Sequence, residues 1–390
     1  MKRSISGASI LLTLIAGLAW STMANAVPSF ARKHELNCSG CHTAFPQLNS
    51  TGREFKEAGY RFPTDGEKKV DLEISDALNL DKHVPISAVL VSRPYDKKDS
   101  GNTKNRALHE VEIIVAGTIA NNWSGFFEIE AEDENDFEPE VAPAVLSYNL
   151  RKEINFQASW APVFWADSYG ILNDRFRLTR GHVGAIDQGF GGADDGGKLR
   201  SNRQNVGIYG RVFGERVFYN ANWSGKADDA EGEDARTYSG LVNVDITGDI
   251  MVGAFGMTGD SRMMAGDPRL DYSRYGIQTQ ADIGDARLQA IYVTASDDQV
   301  GGGEHDNDTY SVQAFWTFLD DNLRPTFVPL VRFDSYEKND GNDDFKEFTL
   351  NLTYYLRQNI RAYVEYWDRF DAPTNAQEDD RLTLQIIAAF

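Results

Sequence analysis

The chain has 390 residues, a formal net charge of −20, 41% hydrophobic and 12% aromatic residues, 34 glycines and 2 cysteines. So acidic a balance excludes a nucleic-acid phosphate backbone as partner, because binding it demands Lys/Arg neutralisation, and two cysteines cannot build a disulfide framework. A mean hydropathy of −0.44, with no apolar run approaching 18 residues after the leader, excludes a helical membrane protein but not a β-barrel, whose alternating strands hide from hydropathy averages.

In chain order, residues 1–26 read as a signal peptide. Lys2 and Arg3 make a positive start, Ile10 to Ala19 an apolar stretch, and Ala24-Asn25-Ala26 a small-residue cleavage site. The apolar stretch is about half of what an anchoring helix needs. Cleavage after Ala26 sends the mature chain out of the cytoplasm, two charges more negative.

Cys38-Ser39-Gly40-Cys41-His42 is C-x-x-C-H, the attachment signature of haem c. The Cys38 and Cys41 thiols add to the haem vinyl groups, and the His42 imidazole is the proximal iron ligand. The competing reading is a disulfide or redox pair that happens to precede a histidine; such a pair wants a βαβ surround that this N-terminal position does not offer. Both cysteines of the chain lie in this pentapeptide.

For the distal position no methionine occurs between Met23 and Met251. His34 and His83 are the candidates, weighed against the ordinary fate of histidines as surface or packing residues. Open or weakly ligated iron is the third possibility. Residues 27–63 thus form a monohaem cytochrome c segment, too short to wrap both faces of a haem and expected to lean on the rest of the chain. Residues 64–83 are a linker.

Residues 84–390 read as an all-β transmembrane antiparallel barrel of about 16 strands. Period-2 segments recur between Gly/Asp/Asn turns. Phe348, Leu350, Leu352, Tyr354 and Leu356 alternate with Glu347, Thr349, Asn351 and Thr353, and the last segment carries Leu382, Leu384, Ile386, Ala388 and Phe390. The first strand is expected near 84–93 and the last near 380–390. Short turns such as 284–285 and 357–358 are expected to alternate without exception with long acidic loops such as 225–235, 259–271, 296–308 and 337–344. A soluble sandwich explains the alternation but not this rhythm.

The longest connection, from about Pro162 to Arg203, holds Arg175, Arg177, Arg180 and the glycine cluster 189–197. The glycines lack the G-K-[ST] ending of a phosphate loop and read as flexible loop. The arginines either fold inward to pair with lumenal Glu128 or Glu130, or decorate the surface. The carboxylates from Glu128 to Glu140 suit hard divalent cations, and equally suit the acidic outer surface of such a barrel. No nucleophile elbow or zinc-spaced histidine pair is present, so hydrolytic chemistry has no support.

Val27-Pro28-Ser29-Phe30-Ala31-Arg32, Cys38-Ser39-Gly40-Cys41-His42, Pro46-Gln47-Leu48, Gly52-Arg53-Glu54-Phe55-Lys56 and Gly59-Tyr60 together resemble the N-terminus of the fused outer-membrane cytochrome-porins of iron-oxidising bacteria. The terminal Phe390 resembles the assembly signal of outer-membrane barrels. The first resemblance implies a short monohaem segment that plugs or caps a roughly sixteen-stranded barrel. It implies electron transfer between an extracellular donor such as Fe(II) and periplasmic cytochromes or other carriers, across outer-membrane lipid. Acidic loops would gather cationic donors at the outer mouth. The alternatives are a porin or solute transporter with a structural or sensory haem, and a soluble haem-binding structural protein.

Overall fold

The computed structural model describes residues 28–62, 72–75, 78–80, 83–173, 175–190, 197–232, 236–262, 266–373, 376 and 378–390. The expected signal peptide, part of the linker and residues 191–196 of the glycine cluster lie outside the described residues.

Sixteen antiparallel strands close into one barrel among the described residues. They are β1 (Ile86–Lys98), β2 (Lys104–Ala120), β3 (Trp123–Glu132), β4 (Glu140–Arg151), β5 (Ile154–Ala161), β6 (Arg203–Val212), β7 (Val217–Ser224) and β8 (Thr237–Asp245). The second half comprises β9 (Ile250–Ser261), β10 (Leu270–Ile283), β11 (Ala286–Asp298), β12 (Glu304–Trp316, continued by Phe318–Leu319), β13 (Pro325–Lys338), β14 (Asp343–Arg357), β15 (Ile360–Asp371) and β16 (Asp379–Ala389). Each pairs with the next, and β16 returns to β1 with Ala388 opposite Leu90, which leaves no edge exposed. Phe390 completes the seam by exchanging two backbone hydrogen bonds with Ala88, at 2.8 and 2.9 Å.

The side chains are inverted relative to a water-soluble sheet. Along β14, Leu350, Leu352, Tyr354 and Leu356 are 44–53% exposed, while Thr349, Asn351 and Thr353 between them are at most 3% exposed. Water would reject that arrangement and a bilayer accepts it. The polar lumen partners itself: Asn351 Nδ2 donates to Glu365 at 3.0 Å and Thr353 Oγ1 to Asn351 at 2.8 Å. Exposed aromatics gather at both levels, Trp123, Trp316, Phe318 and Phe390 at one end and Trp223, Tyr238, Tyr275 and Tyr310 at the other, as headgroup-level belts do. Among the described residues no helix is long and apolar enough to cross a membrane.

The expected rhythm of connections needs correction. Tips 299–303 and 339–342 are no longer than connections 320–324 and 213–216, respectively, at the opposite end, because β11, β12, β13 and β14 run on to Asp298, Glu304, Lys338 and Asp343. Above the apolar band both strand faces meet water, so alternation fades while the backbone ladder continues. The asymmetry therefore lies in hairpin height rather than loop length, save for connections such as 162–202, 225–236 and 262–269.

The connection 162–202 turns inward. Among the described residues it holds a short helix (Gly184–Asp187), where no helix was expected. Phe164, Ile171, Leu172 and Ile186 pack against Tyr209, Phe218, Leu241, Phe255 and Val293 of the barrel's inner wall. Part of the lumen is thus a small apolar core.

Candidate functional site

Residues 28–62 occupy the end of the barrel that carries the two-residue turns. Helix α1 (Pro28–His34) leads to a 3-10 turn at Cys38–Gly40, then to a hairpin of His42–Ala44 with Gln47–Leu48, then to α2 (Ser50–Glu57). Asn49 joins these pieces. Its N–H donates to the Cys41 carbonyl at 3.0 Å, its Oδ1 caps α2 by accepting from Gly52 N–H at 2.9 Å, and its Nδ2 donates to the carbonyls of Ser39 and Gly40 at 3.2 and 3.3 Å. A β-carbon on Gly52 would lie 2.1 Å from the Cys41 carbonyl oxygen, so only glycine lets α2 approach the cysteine turn.

Cys38 is buried, Cys41 is half-buried, and both are free thiols; burial pushes the Cys41 thiol up. His42 is buried, with Nδ1 3.0 Å from the carbonyl oxygen of Pro46 and its ring 5.2 Å from that of Phe45. Burial pushes the imidazole down to about 4, so it is neutral at pH 7. With the Nδ1 proton donated to Pro46, Nε2 keeps its lone pair, the arrangement a metal-ligating histidine requires.

The segment docks on many walls of the barrel. Ser29 N–H donates to Ser87 of β1 at 3.1 Å, Tyr355 of β14 to the Phe45 carbonyl at 2.6 Å, and Arg287 of β11 to Thr43, Gln47 and Leu48 at 2.9–3.1 Å. Arg211 of β6 pairs with Glu57 at 3.0 Å, and Arg61 donates to the Ala120 carbonyl at 2.8 Å. These contacts seat residues 28–62 as a plug at that end of the barrel. His34 packs edge-on against Phe55 and Phe62, ring centres 5.5 and 4.9 Å away, and His83 stands exposed just ahead of β1.

The inward connection fills the lumen above the plug. Arg175 pairs with Glu128, as the inward alternative expected. Arg180 instead pairs with Asp96 at 3.2 Å, and Arg177 lies 3.0 Å from His182 Nδ1. Gly184 N–H donates to Asp334 at 2.8 Å and Ala185 N–H to Ser311 at 3.0 Å. Asp167 ties connection, plug and wall together. Its carboxylate accepts from Asn243 at 3.0 Å and its carbonyl accepts from Lys56 Nζ of α2 at 3.0 Å. Burial raises the Asp167 carboxyl to about 6 and lowers the Lys56 ammonium to about 8.

Toward the tall-hairpin end, His109, Glu110 and Glu132 bring potential ligand atoms within 4.8 Å of one another. His109 Nδ1 lies 2.8 Å from Asp133, while Arg106 pairs with Glu134 and answers part of the acidic charge. His109 and Glu110 are the members that sequence reasoning missed. The register of Glu110 opposite Glu132 delivers both to that carboxylate, and no local pattern announces that register.

A closed sixteen-strand barrel with a lipid-facing apolar surface, aromatic belts and a polar lumen defines an outer-membrane β-barrel. Its short turns face the periplasm by the usual rule for this class, which puts the plug on the periplasmic side. Solved barrels of this architecture are similar to it. The anion-selective porin from Comamonas acidovorans matches with TM-score 0.58 and 15% identity over 78% of this chain and 98% of its own. Salmonella typhi OmpF in complex with daunomycin matches with TM-score 0.58 and 14% identity over 79% and 98%. The trimeric, in-vitro folded OmpT of Vibrio cholerae matches with TM-score 0.56 and 13% identity over 78% and 98%. At such identities the likeness is one of fold, and no family model or curated protein matches the chain.

Proposed function

We propose that the chain is an outer-membrane electron-transfer protein, carrying one haem c on Cys38 and Cys41 with His42 as proximal ligand. The observation that carries this reading is the state of His42, a neutral imidazole whose Nδ1 is tied to Pro46 beside two free thiols on the adjoining turn. When bound, the haem supplies one-electron chemistry. The chain's own residues position it: Asn49 and Gly52 hold the cysteine turn against α2, and Tyr355 and Arg287 hold the hairpin to the wall.

The resemblance of the N-terminal motif to cytochrome-porins of iron oxidisers makes Fe(II) the donor to try first. Glu110 and Glu112 on β2 stand opposite Glu132 and Glu130 on β3, and such carboxylates attract a cation. Periplasmic carriers would meet the plug from below. The second reading, a solute channel with a structural or sensory haem, is favoured by the porins among its structural neighbours. Against it stand the plug and the inward connection, which together occupy the lumen.

The test is expression with a cytochrome c maturation system, followed by haem staining of the denatured chain and planar-bilayer conductance. This reading expects covalent haem and a conductance far below that of an open porin. Open conductance without reduction of the haem by extracellular donors favours the channel.

A further inference from the structure

Arg361 on β15 faces the lumen, 5% exposed, and its Nε and Nη1 donate to nothing. Its Nη2 reaches the carbonyl oxygen of Arg177 at 3.4 Å, and the guanidinium lies 5.8 Å from the Tyr363 ring. Among the described residues no carboxylate forms an ion pair with it. Glu365, four residues along the strand on the same face, is engaged by the backbone N–H of Arg180 at 2.7 Å and by Asn351 at 3.0 Å. The other cations nearby, Arg93 and Arg177, face the same Tyr363 and add positive charge rather than relieve it. A guanidinium withdrawn from water without a counter-ion is strongly unfavourable, so this corner of the lumen asks for an anion.

The same corner touches the cysteine turn's hairpin. Arg361 is the register partner of Tyr355, whose hydroxyl donates to the Phe45 carbonyl at 2.6 Å. Leu178, next to Arg177, packs with Ala44 and Tyr355. Phe45 in turn lies against His42. Haem carries its vinyl groups on one edge and two carboxylates on the opposite edge. Thioether bonds to Cys38 and Cys41 fix the first edge and leave the second in need of cationic donors.

We propose that Arg361 anchors a haem propionate, an inference that rests on the haem c reading. Arg361 is then a positioning residue: it neutralises the propionate, keeps it ionised and raises the haem potential, since a nearby cation disfavours the ferric charge.

The test compares wild type, Arg361→Gln and Arg361→Lys, each produced with the maturation system, purified as folded barrels and titrated by spectroelectrochemistry. Thioether attachment keeps the haem content equal. In Arg361→Gln the midpoint potential is expected to fall and to become pH-dependent between about pH 5 and 8, as the unpaired propionate gains a proton near neutrality. Arg361→Lys is expected to restore much of the wild-type potential. An Arg361→Gln protein with full haem and the wild-type potential at every pH overturns the propionate assignment alone. A wild-type protein without covalent haem overturns the haem reading and this inference together. Should Arg361→Gln not assemble, resonance Raman of the wild type decides: a propionate band that stays constant over the same pH range supports the anchor, and one that titrates refutes it.

Discussion

The carbonyl oxygen of Cys41 lies where a β-carbon on Gly52 would have to stand, 2.1 Å away. The approach of α2 to the cysteine turn therefore rests on a missing methyl group. Gly52→Ala should push the turn from the helix at a cost of about 1–3 kcal/mol, as overpacking does, and reduce covalent haem while leaving the barrel folded. Haem staining beside heat-modifiable gel migration checks it; full staining in the variant contradicts the role given to Gly52.

Cys41→Ala should abolish haem staining of the denatured chain, because breaking the C-x-x-C-H attachment signature prevents covalent attachment at Cys38 as well. Retained covalent haem at wild-type level would refute the attachment assignment.

Much of the barrel was legible because each crossing repeats one rule, apolar out and polar in with period 2. Thr349 to Leu356 is the clear case. Legibility failed where both faces are apolar. On β9, Met251, Phe255 and Met257 point into the lumen and are at most 5% exposed, although a water-filled lumen asks for polar groups there. They are apolar because the inward connection covers them, a tertiary event with no local signature. In the site, spacing alone places Cys38, Cys41 and His42 at one short turn. Asn49 was not legible, since its several hydrogen bonds exist only after the turn and α2 have met, and His109 depended on a strand register.

The inward connection is held across the lumen by Arg175 with Glu128 and Arg180 with Asp96. Replacing residues 175–190 by a short Gly-Ser bridge should raise ion conductance several-fold in planar bilayers, because the lumen of a sixteen-strand barrel is wide enough for an aqueous channel. A deletion variant that conducts no better than wild type contradicts the assignment of these residues as the obstruction.

Asp167 gives the plug a pH dependence with a definite sign. Its carboxyl titrates near 6 in the fold, above its ordinary 3.8, chiefly through burial. Between those values the folded chain holds a proton that the unfolded chain has released. The stability this group contributes is therefore complete below the unfolded value and is lost as pH rises through 6. Asp167→Asn removes the titration. The urea midpoint of wild type relative to Asp167→Asn should fall between about pH 4 and 6, by a stability difference of at most about 3 kcal/mol, and level off above. A constant difference across that window contradicts the raised value.

The central claim, that electrons cross the bilayer through this barrel by way of the plug, is tested most directly in liposomes. The purified haem protein is reconstituted around an entrapped electron acceptor, and a membrane-impermeant donor such as chelated Fe(II) is added outside. The account predicts reduction of the entrapped acceptor, lost in Cys41→Ala. Reduction of the haem with the internal acceptor left oxidised would contradict it.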